Sequence, residues 1–348
     1  MEPRREAQAS LQELERLCRS AGLEPVGGEL VRVRTPTPAL YLGTGQTDRI
    51  IHAAGELDAA VVVCDQALSP MQLRNWGRRS RLEVYDRHAV ILEIFSSRAR
   101  TREAQLQVEL ARAEYAQSHL AGMWQHLSRQ GGGSRLARGE GEKQIEMDRR
   151  QLATRVQKAR RALVKVGRQR ALRRQRREGL PRVALVGYTN AGKSTLMNRL
   201  TPARVRSADR LFATLDPTTR RLYLAPNRMA LLSDTVGFVR RLPPELVNAF
   251  HSTLEEAIDA DLLLLVLDAT SPEAARELET TIEVLETIGA AAVPRILVRN
   301  KMDRMEAGYD PSAVLAAGER FTASVSTSAT SGDGIDQLRK LIAGHLDS

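Results

Sequence analysis

A chain of 348 residues that is 42% hydrophobic and 27% charged has the composition of a folded protein with room for two or three domains, not of a disordered one. Its longest aliphatic run, Leu262–Leu267, is too short to cross a bilayer, and the start MEPRREAQAS lacks the apolar stretch of a secretory signal. Only Cys18 and Cys64 are present, without paired spacing, so neither a disulfide framework nor a zinc site is indicated and a cytoplasmic protein is expected.

The net charge of +10 is unevenly spread. Residues 1–180 hold 33 Lys+Arg against 21 Asp+Glu, whereas residues 181–348 hold 19 against 21. A polyanionic partner is therefore expected for the first half alone.

Residues 1–97 read as a small α/β domain. Ala39–Leu42, Ala59–Cys64 and Arg81–Tyr85 have the pattern of short strands, and Ser69–Arg78 that of a helix opened by Ser-Pro. The pair Gly43 and Gly45 in YLGTGQ reads as a tight strand-to-helix turn, since two glycines alone are weak evidence for a nucleotide site.

Residues 98–180 read as an antiparallel helical hairpin. Leu106, Leu110, Ala113, Gln117, Leu120, Trp124 and Leu127 recur at alternating steps of four and three, as do Leu152, Val156, Ala159, Leu163 and Val166. The connection GGGSRLARGEG, residues 131–141, has five glycines in eleven residues and is expected to break both helices as a flexible basic tip. Between Arg149 and Glu178 there are 13 Lys+Arg and one acidic residue. A solvated helix face mixes signs to form i,i+4 pairs, and this one does not, so an RNA or phosphate-backbone contact is favoured. A membrane surface is the weaker alternative, because the apolar stripe is committed to helix pairing.

From Pro181 onward the pattern is strand, loop, helix, repeated. Val183–Val186, Leu222–Leu224, Met229–Leu232, Leu262–Leu267, Arg295–Val298 and Phe321–Val325 are the candidate strands of a doubly wound α/β domain over residues 181–348. The stretch Gly187-Tyr188-Thr189-Asn190-Ala191-Gly192-Lys193-Ser194 follows the first strand and opens a helix. Its glycines let backbone N–H groups turn onto phosphates, Lys193 reaches the β- and γ-phosphates, and the Ser194 hydroxyl binds Mg²⁺. One hairpin later, Asp234-Thr235-Val236-Gly237 delivers a carboxylate toward that metal, through water, and a glycine N–H toward the γ-phosphate. The next residue, Phe238, cannot orient water as the glutamine often found at that position in nucleotide triphosphatases does.

Asn300-Lys301-Met302-Asp303 ends a later strand. The Asp303 carboxylate can accept hydrogen bonds from guanine N1–H and N2–H₂, which adenine lacks, so GTP is selected over ATP. Asn300 ties this loop to the phosphate loop, the Lys301 stem covers the base, and Ser328-Ala329-Thr330 presents a backbone N–H to guanine O6. Between the first two motifs lies DRLFATLDPTTRR, in which Thr214, Thr218 and Thr219 are candidates, by position alone, for a Mg²⁺- and γ-phosphate-sensing threonine. Asn190 has two readings: a ligand for a K⁺ ion that supplies transition-state charge, or a loop-stabilising hydrogen bond.

The stretches DQALSPMQLRN, RARTREAQLQVELA, SRQGGG…RGEGEKQIEMDRR, GYTNAGKST, LFATLDPTTRR, DTVGFVRRLP and NKMD together resemble the HflX family of ribosome-associated GTPases, from about Tyr41 to the end. The tip departs from the family pattern: Arg135 stands in place of a glycine, Glu140 of a proline, and Ala137 is extra. The resemblance implies that residues 1–180 dock on rRNA of the large (50S) ribosomal subunit. It implies that GTP hydrolysis to GDP helps split or rescue ribosomes, with a slow intrinsic rate stimulated by the ribosome. It also makes Thr214 the Mg²⁺-binding threonine, within the nucleotide-contacting stretch Phe212-Ala213-Thr214-Leu215-Asp216. Catalysis is then expected from Lys193, Thr214, Gly237 and Asn190, in a monomer. The alternatives are an assembly or RNA-modification GTPase, and an RNA-binding protein that uses GTP only as a ligand.

Overall fold

The computed structural model describes residues 2–129, 135–175, 179–202, 211–241, 246, 250–305 and 321–347. They fall into two compact units, one of residues 1–97 and 105–165, the other of residues 98–104 and 166–348.

In the first unit the order is α1 (Glu2–Ser20), α2 (Thr44–Glu56), β1 (Val61–Cys64), α3 (Pro70–Ser80), β2 (Glu83–Asp86) and α4 (Arg87–Arg98). Then come α5 (Arg102–Arg129) and α6 (Arg135–Gln175), each of which also lends residues to the second unit. β1 and β2 pair in parallel. Helix α3 starts where Ser-Pro predicts: the Ser69 hydroxyl accepts from the Gln72 N–H at 3.2 Å, and the Gln72 side chain returns the bond to the Ser69 N–H at 2.8 Å. Trp76 of α3 is buried against Leu40, Leu42 and Leu68, with its indole N–H on the Leu40 carbonyl at 2.7 Å. The buried Arg87 guanidinium meets Glu13 of α1 and Asp65, the latter at 2.6 Å, so its charge enters the interior paired.

Ala39–Leu42 does not form the expected strand. Thr37 and Tyr41 make a single antiparallel bridge within a turn, and Tyr41 sits at a φ of 67°. Pro36 and Pro38 remove two N–H donors just upstream, which denies this segment a ladder. The expected break across residues 131–141 also differs, because α6 begins at Arg135 and takes in Gly139 and Gly141. Each glycine costs a helix about 1 kcal/mol but does not forbid it. Residues 131–134 of that tip lie outside the described residues. Leu106, Leu110 and Ala113 of α5 and Val156 and Ala159 of α6 are buried, and Arg160 pairs with Glu114 at 2.6 Å.

The second unit is built on β3 (Arg182–Val186), α7 (Lys193–Leu200), β4 (Thr218–Ala225), β5 (Arg228–Asp234) and α8 (His251–Ile258). It continues through β6 (Leu262–Asp268), α9 (Ala274–Thr287), β7 (Arg295–Asn300), β8 (Ala323–Ser326) and α10 (Ile335–His345). The strands form one sheet in the order β4-β5-β3-β6-β7-β8, parallel except for the antiparallel β4–β5 edge. The aliphatic run of the sequence is β6. Leu262, Leu264 and Val266 enter one core with α7 and α10, while Leu263, Leu265 and Leu267 enter the opposite core with α8 and α9. A strand buried on both faces has no need of alternation, which is why it reads as a continuous apolar stretch. From β3 the chain goes to β5 on one side and to β6 on the other, and the carboxyl ends of strands at such a reversal form a crevice for ligands.

Because Leu264 is fully buried at the sheet centre, Leu264→Ala should lower the unfolding free energy by about 3 kcal/mol, read by urea denaturation.

Candidate nucleotide-binding site

The phosphate loop runs from the end of β3 to the start of α7, and its glycines are fixed by close approach. A Cβ on Gly187, whose φ is 145°, would stand 2.2 Å from the Val266 carbonyl oxygen of β6. One on Gly192, at φ 95°, would stand 2.3 Å from the Asn300 side-chain nitrogen. Asn190 holds a φ of 64°, a left-handed conformation that asparagine tolerates better than most residues. Lys193 is buried, and its ammonium donates to the Gly187 carbonyl at 3.0 Å and the Tyr188 carbonyl at 2.8 Å. Burial pushes its pKa down to about 8, with the Asp234 charge working the other way.

Three segments converge on one carboxylate. Asp234, at the end of β5, is fully buried. One of its oxygens accepts from the Ser194 hydroxyl at 2.6 Å and the Thr214 hydroxyl at 3.0 Å, and those two hydroxyls stand 2.8 Å apart. The other oxygen is buried with no hydrogen-bond partner. Burial raises the Asp234 pKa, opposed by Lys193 and the two hydroxyls. A buried carboxylate with an unpartnered oxygen, beside two hydroxyls, is a hard all-oxygen set that suits Mg²⁺. Of the three threonines proposed by position, Thr214 is the one brought here. Thr218 and Thr219 begin β4 instead, and the Thr219 hydroxyl faces Ser233 at 3.0 Å.

The Asp234–Gly237 segment lies on the phosphate loop. The Thr189 N–H donates to the Phe238 carbonyl at 2.7 Å, and the Phe238 N–H to the Gly187 carbonyl at 3.1 Å. Only glycine fits at position 237, because a Cβ there would stand 2.7 Å from the Thr189 Cα. Phe238 turns into the sheet core with Ala184, Val186 and Leu263, so its ring takes no part in the site. Thr235 is buried, donating to the Leu185 carbonyl at 2.7 Å, and Val236 is buried too. The Thr189 hydroxyl accepts from the Phe212 N–H at 2.8 Å, which links the phosphate loop to the Phe212–Asp216 stretch as well. A cavity of about 50 Å³ lies among Thr189, Asn190, Lys193, Ala213, Thr214 and Gly237. Leu215 is buried, and the Asp216 carboxylate accepts from Thr101.

The loops expected to face the base meet through Asn300. Its side-chain N–H donates to the Ala191 carbonyl at 3.0 Å, while its oxygen accepts from the Ala329 N–H at 3.1 Å and the Thr327 hydroxyl at 3.3 Å. Asp303 accepts from the Ser328 hydroxyl at 2.6 Å, and the Met302 N–H bonds the Thr327 carbonyl at 3.2 Å. Thr330 is exposed, and Arg199 of α7 donates to the Ser331 carbonyl at 2.5 Å, which holds this loop against α7. Lys301 is pinned by Asp268 at 2.7 Å. Sequence reasoning missed Asp268 and Arg199, although a carboxylate closing an aliphatic strand at the ligand end of a sheet is a legible signal for the former.

Comparison with known proteins agrees with this architecture. Residues 8–96 match the family described as GTP-binding GTPase N-terminal, residues 98–177 its middle region, and residues 182–301 the family described as 50S ribosome-binding GTPase. GTPase HflX of Magnetococcus marinus is 46% identical over 333 residues, covering 95% of this chain and 76% of the relative. GTPase HflX of Escherichia coli is 45% identical over 338 residues, covering 97% of this chain and 79% of the relative. The fold is similar to a crystal structure of SsGBP with GDP, at a TM-score of 0.52 and 24% identity over 95% of this chain and 94% of that one. The ordered nucleotide motifs and the matches along nearly the whole length lead to one conclusion: this chain belongs to the HflX family of GTPases.

Proposed function

We propose that the protein binds GTP with Mg²⁺ at the carboxyl ends of β3, β5 and β7 and hydrolyses it while bound to the large ribosomal subunit. In this reading GTP turnover serves ribosome splitting or rescue in the cytoplasm. The observation that carries it is the convergence of Ser194, Thr214 and Asp234 within 3.0 Å of one another beside Lys193. Ser194, Thr214 and Asp234 would hold the metal, which would supply positive charge to offset that of the phosphates. Lys193 leaves its two backbone carbonyls for the phosphates, and the Gly237 N–H bonds a γ-phosphate oxygen. Water attacks the γ-phosphorus, the bond to the bridging oxygen breaks, and GDP and phosphate leave. With Phe238 in the core, the water is oriented by backbone groups, by a cation at Asn190, or by ribosomal groups.

Support for the ribosomal partner comes from the segment between Arg149 and Glu178, which carries 13 basic residues and one acidic one, and from the description of the family matched by residues 182–301. Among the described residues no helix is long and apolar enough to cross a membrane.

Turnover at saturating GTP should rise by roughly tenfold or more on adding 50S subunits; no rise removes the ribosome from the reading. Asp303→Asn should weaken GTP binding roughly 100-fold, since it leaves guanine donors unpaired, and should favour xanthosine triphosphate. Unchanged GTP affinity in that variant contradicts the assignment of Asp303 to the base. Hydrolysis should be faster in KCl than in NaCl at equal ionic strength if Asn190 holds a cation, and equal rates reduce Asn190 to a loop residue whose identity follows from its φ of 64°.

A further inference from the structure

We propose that Thr101, which precedes the nucleotide-binding fold by some 80 residues of sequence, is a positioning residue for Thr214. It would make GTP turnover responsive to the first turn of α5. The inference rests on the reading of Thr214 as a metal-binding residue.

Thr101 and the start of α5 belong to the same compact unit as the phosphate loop. Thr101 caps α5: its hydroxyl oxygen accepts from the Ala104 N–H at 3.1 Å. The same hydroxyl donates to one oxygen of Asp216, and the Thr101 N–H donates to the other at 3.3 Å. The Asp216 side chain therefore sits at the positive end of α5, where unsatisfied N–H groups and the helix dipole favour an acidic residue.

Asp216 lies two residues beyond Thr214, and the short stretch between Phe212 and Asp216 is held at both ends. At one end the Phe212 N–H is tied to Thr189 of the phosphate loop at 2.8 Å. At the other end Asp216 is tied to Thr101. Between the ties the Thr214 hydroxyl stands 3.0 Å from Asp234 and 2.8 Å from Ser194, with Leu215 buried. A segment suspended at two points keeps its middle in place only while both hold. The Thr189 tie is buried and belongs to the nucleotide loop itself. The Thr101 tie is exposed and belongs to a helix outside that loop. The exposed tie is the one that a partner displacing the first turn of α5 would break. Thr214 would then leave the cation and turnover would fall.

The test uses the full-length protein and compares Thr101→Val, Thr101→Ser, Asp216→Ala, the Val/Ala double variant and Thr214→Ala. GTP turnover is titrated with Mg²⁺, and GDP affinity is measured without Mg²⁺. Thr101→Val should lower kcat about fivefold, the size of a lost helix cap of about 1 kcal/mol. It should raise the half-saturating Mg²⁺ by a similar factor and leave GDP affinity without Mg²⁺ unchanged. Thr101→Ser should restore both values, and the double variant should be no worse than the poorer single one, as for two ends of one contact. The proposal is overturned if Thr101→Val keeps wild-type turnover and Mg²⁺ dependence, if the two effects add, or if serine fails to rescue. Thr214→Ala separates the premise from the inference. Unaltered Mg²⁺ dependence in that variant refutes the metal-binding reading, whereas its loss beside a silent Thr101→Val refutes the tie alone.

Discussion

The buried side-chain amide of Asn300 is the constraint on which the nucleotide site depends. One donor and one acceptor, both spent inside the protein, join the phosphate loop at Ala191 to the Thr327–Ala329 loop beyond β8. The approach is close enough that position 192 admits no side chain. Leaving such a buried polar group unpaired costs on the order of 1–3 kcal/mol, so the loops have strong reason to keep this arrangement. The loops that follow β3, β7 and β8 are thereby tied into one frame across the carboxyl edge of the sheet.

A second set of contacts is hung on the first through Thr189. Thr189 reaches both segments that would sense the γ-phosphate, with its backbone N–H on Phe238 and its hydroxyl under Phe212. Around it stand buried charges in deliberate tension. Asp234 is held in a site that raises its pKa, and Lys193 in one that lowers its own, each partly sustained by the other. Burial that disfavours isolated charges favours a bound metal and polyphosphate, because these supply the missing countercharges.

Packing also explains Phe238. An aromatic side chain after Asp-x-x-Gly is not a degraded catalytic position. It is a core residue that anchors the segment to the sheet, while its backbone pairs with both sides of Tyr188. The same side chain cannot do that and orient water, so the water must be positioned from elsewhere.

The sequence by itself determined the guanine-nucleotide chemistry, because each motif is a contiguous run whose residue types follow from local demands. Gly187 and Gly192 need positive φ and close approach, and a doubly buried strand needs six aliphatic residues in a row. It left Thr214, Thr218 and Thr219 unresolved by position, since only the fold brings the Thr214 hydroxyl to Ser194 and Asp234 while Thr218 and Thr219 enter the β4–β5 ladder. It misread Ala39–Leu42, where apolar content suggested a strand but nearby prolines withhold the donors, and it overstated the glycines of 139 and 141 as helix breakers. The tertiary structure alone decided the pairing of Lys301 with Asp268, 33 residues apart, and of Asp216 with Thr101, 115 residues apart. Charged and hydroxyl side chains suit solvent as well as any one partner, so nothing in their neighbours along the chain announces such contacts; the fold creates them by bringing strand ends and a helix start to the same place.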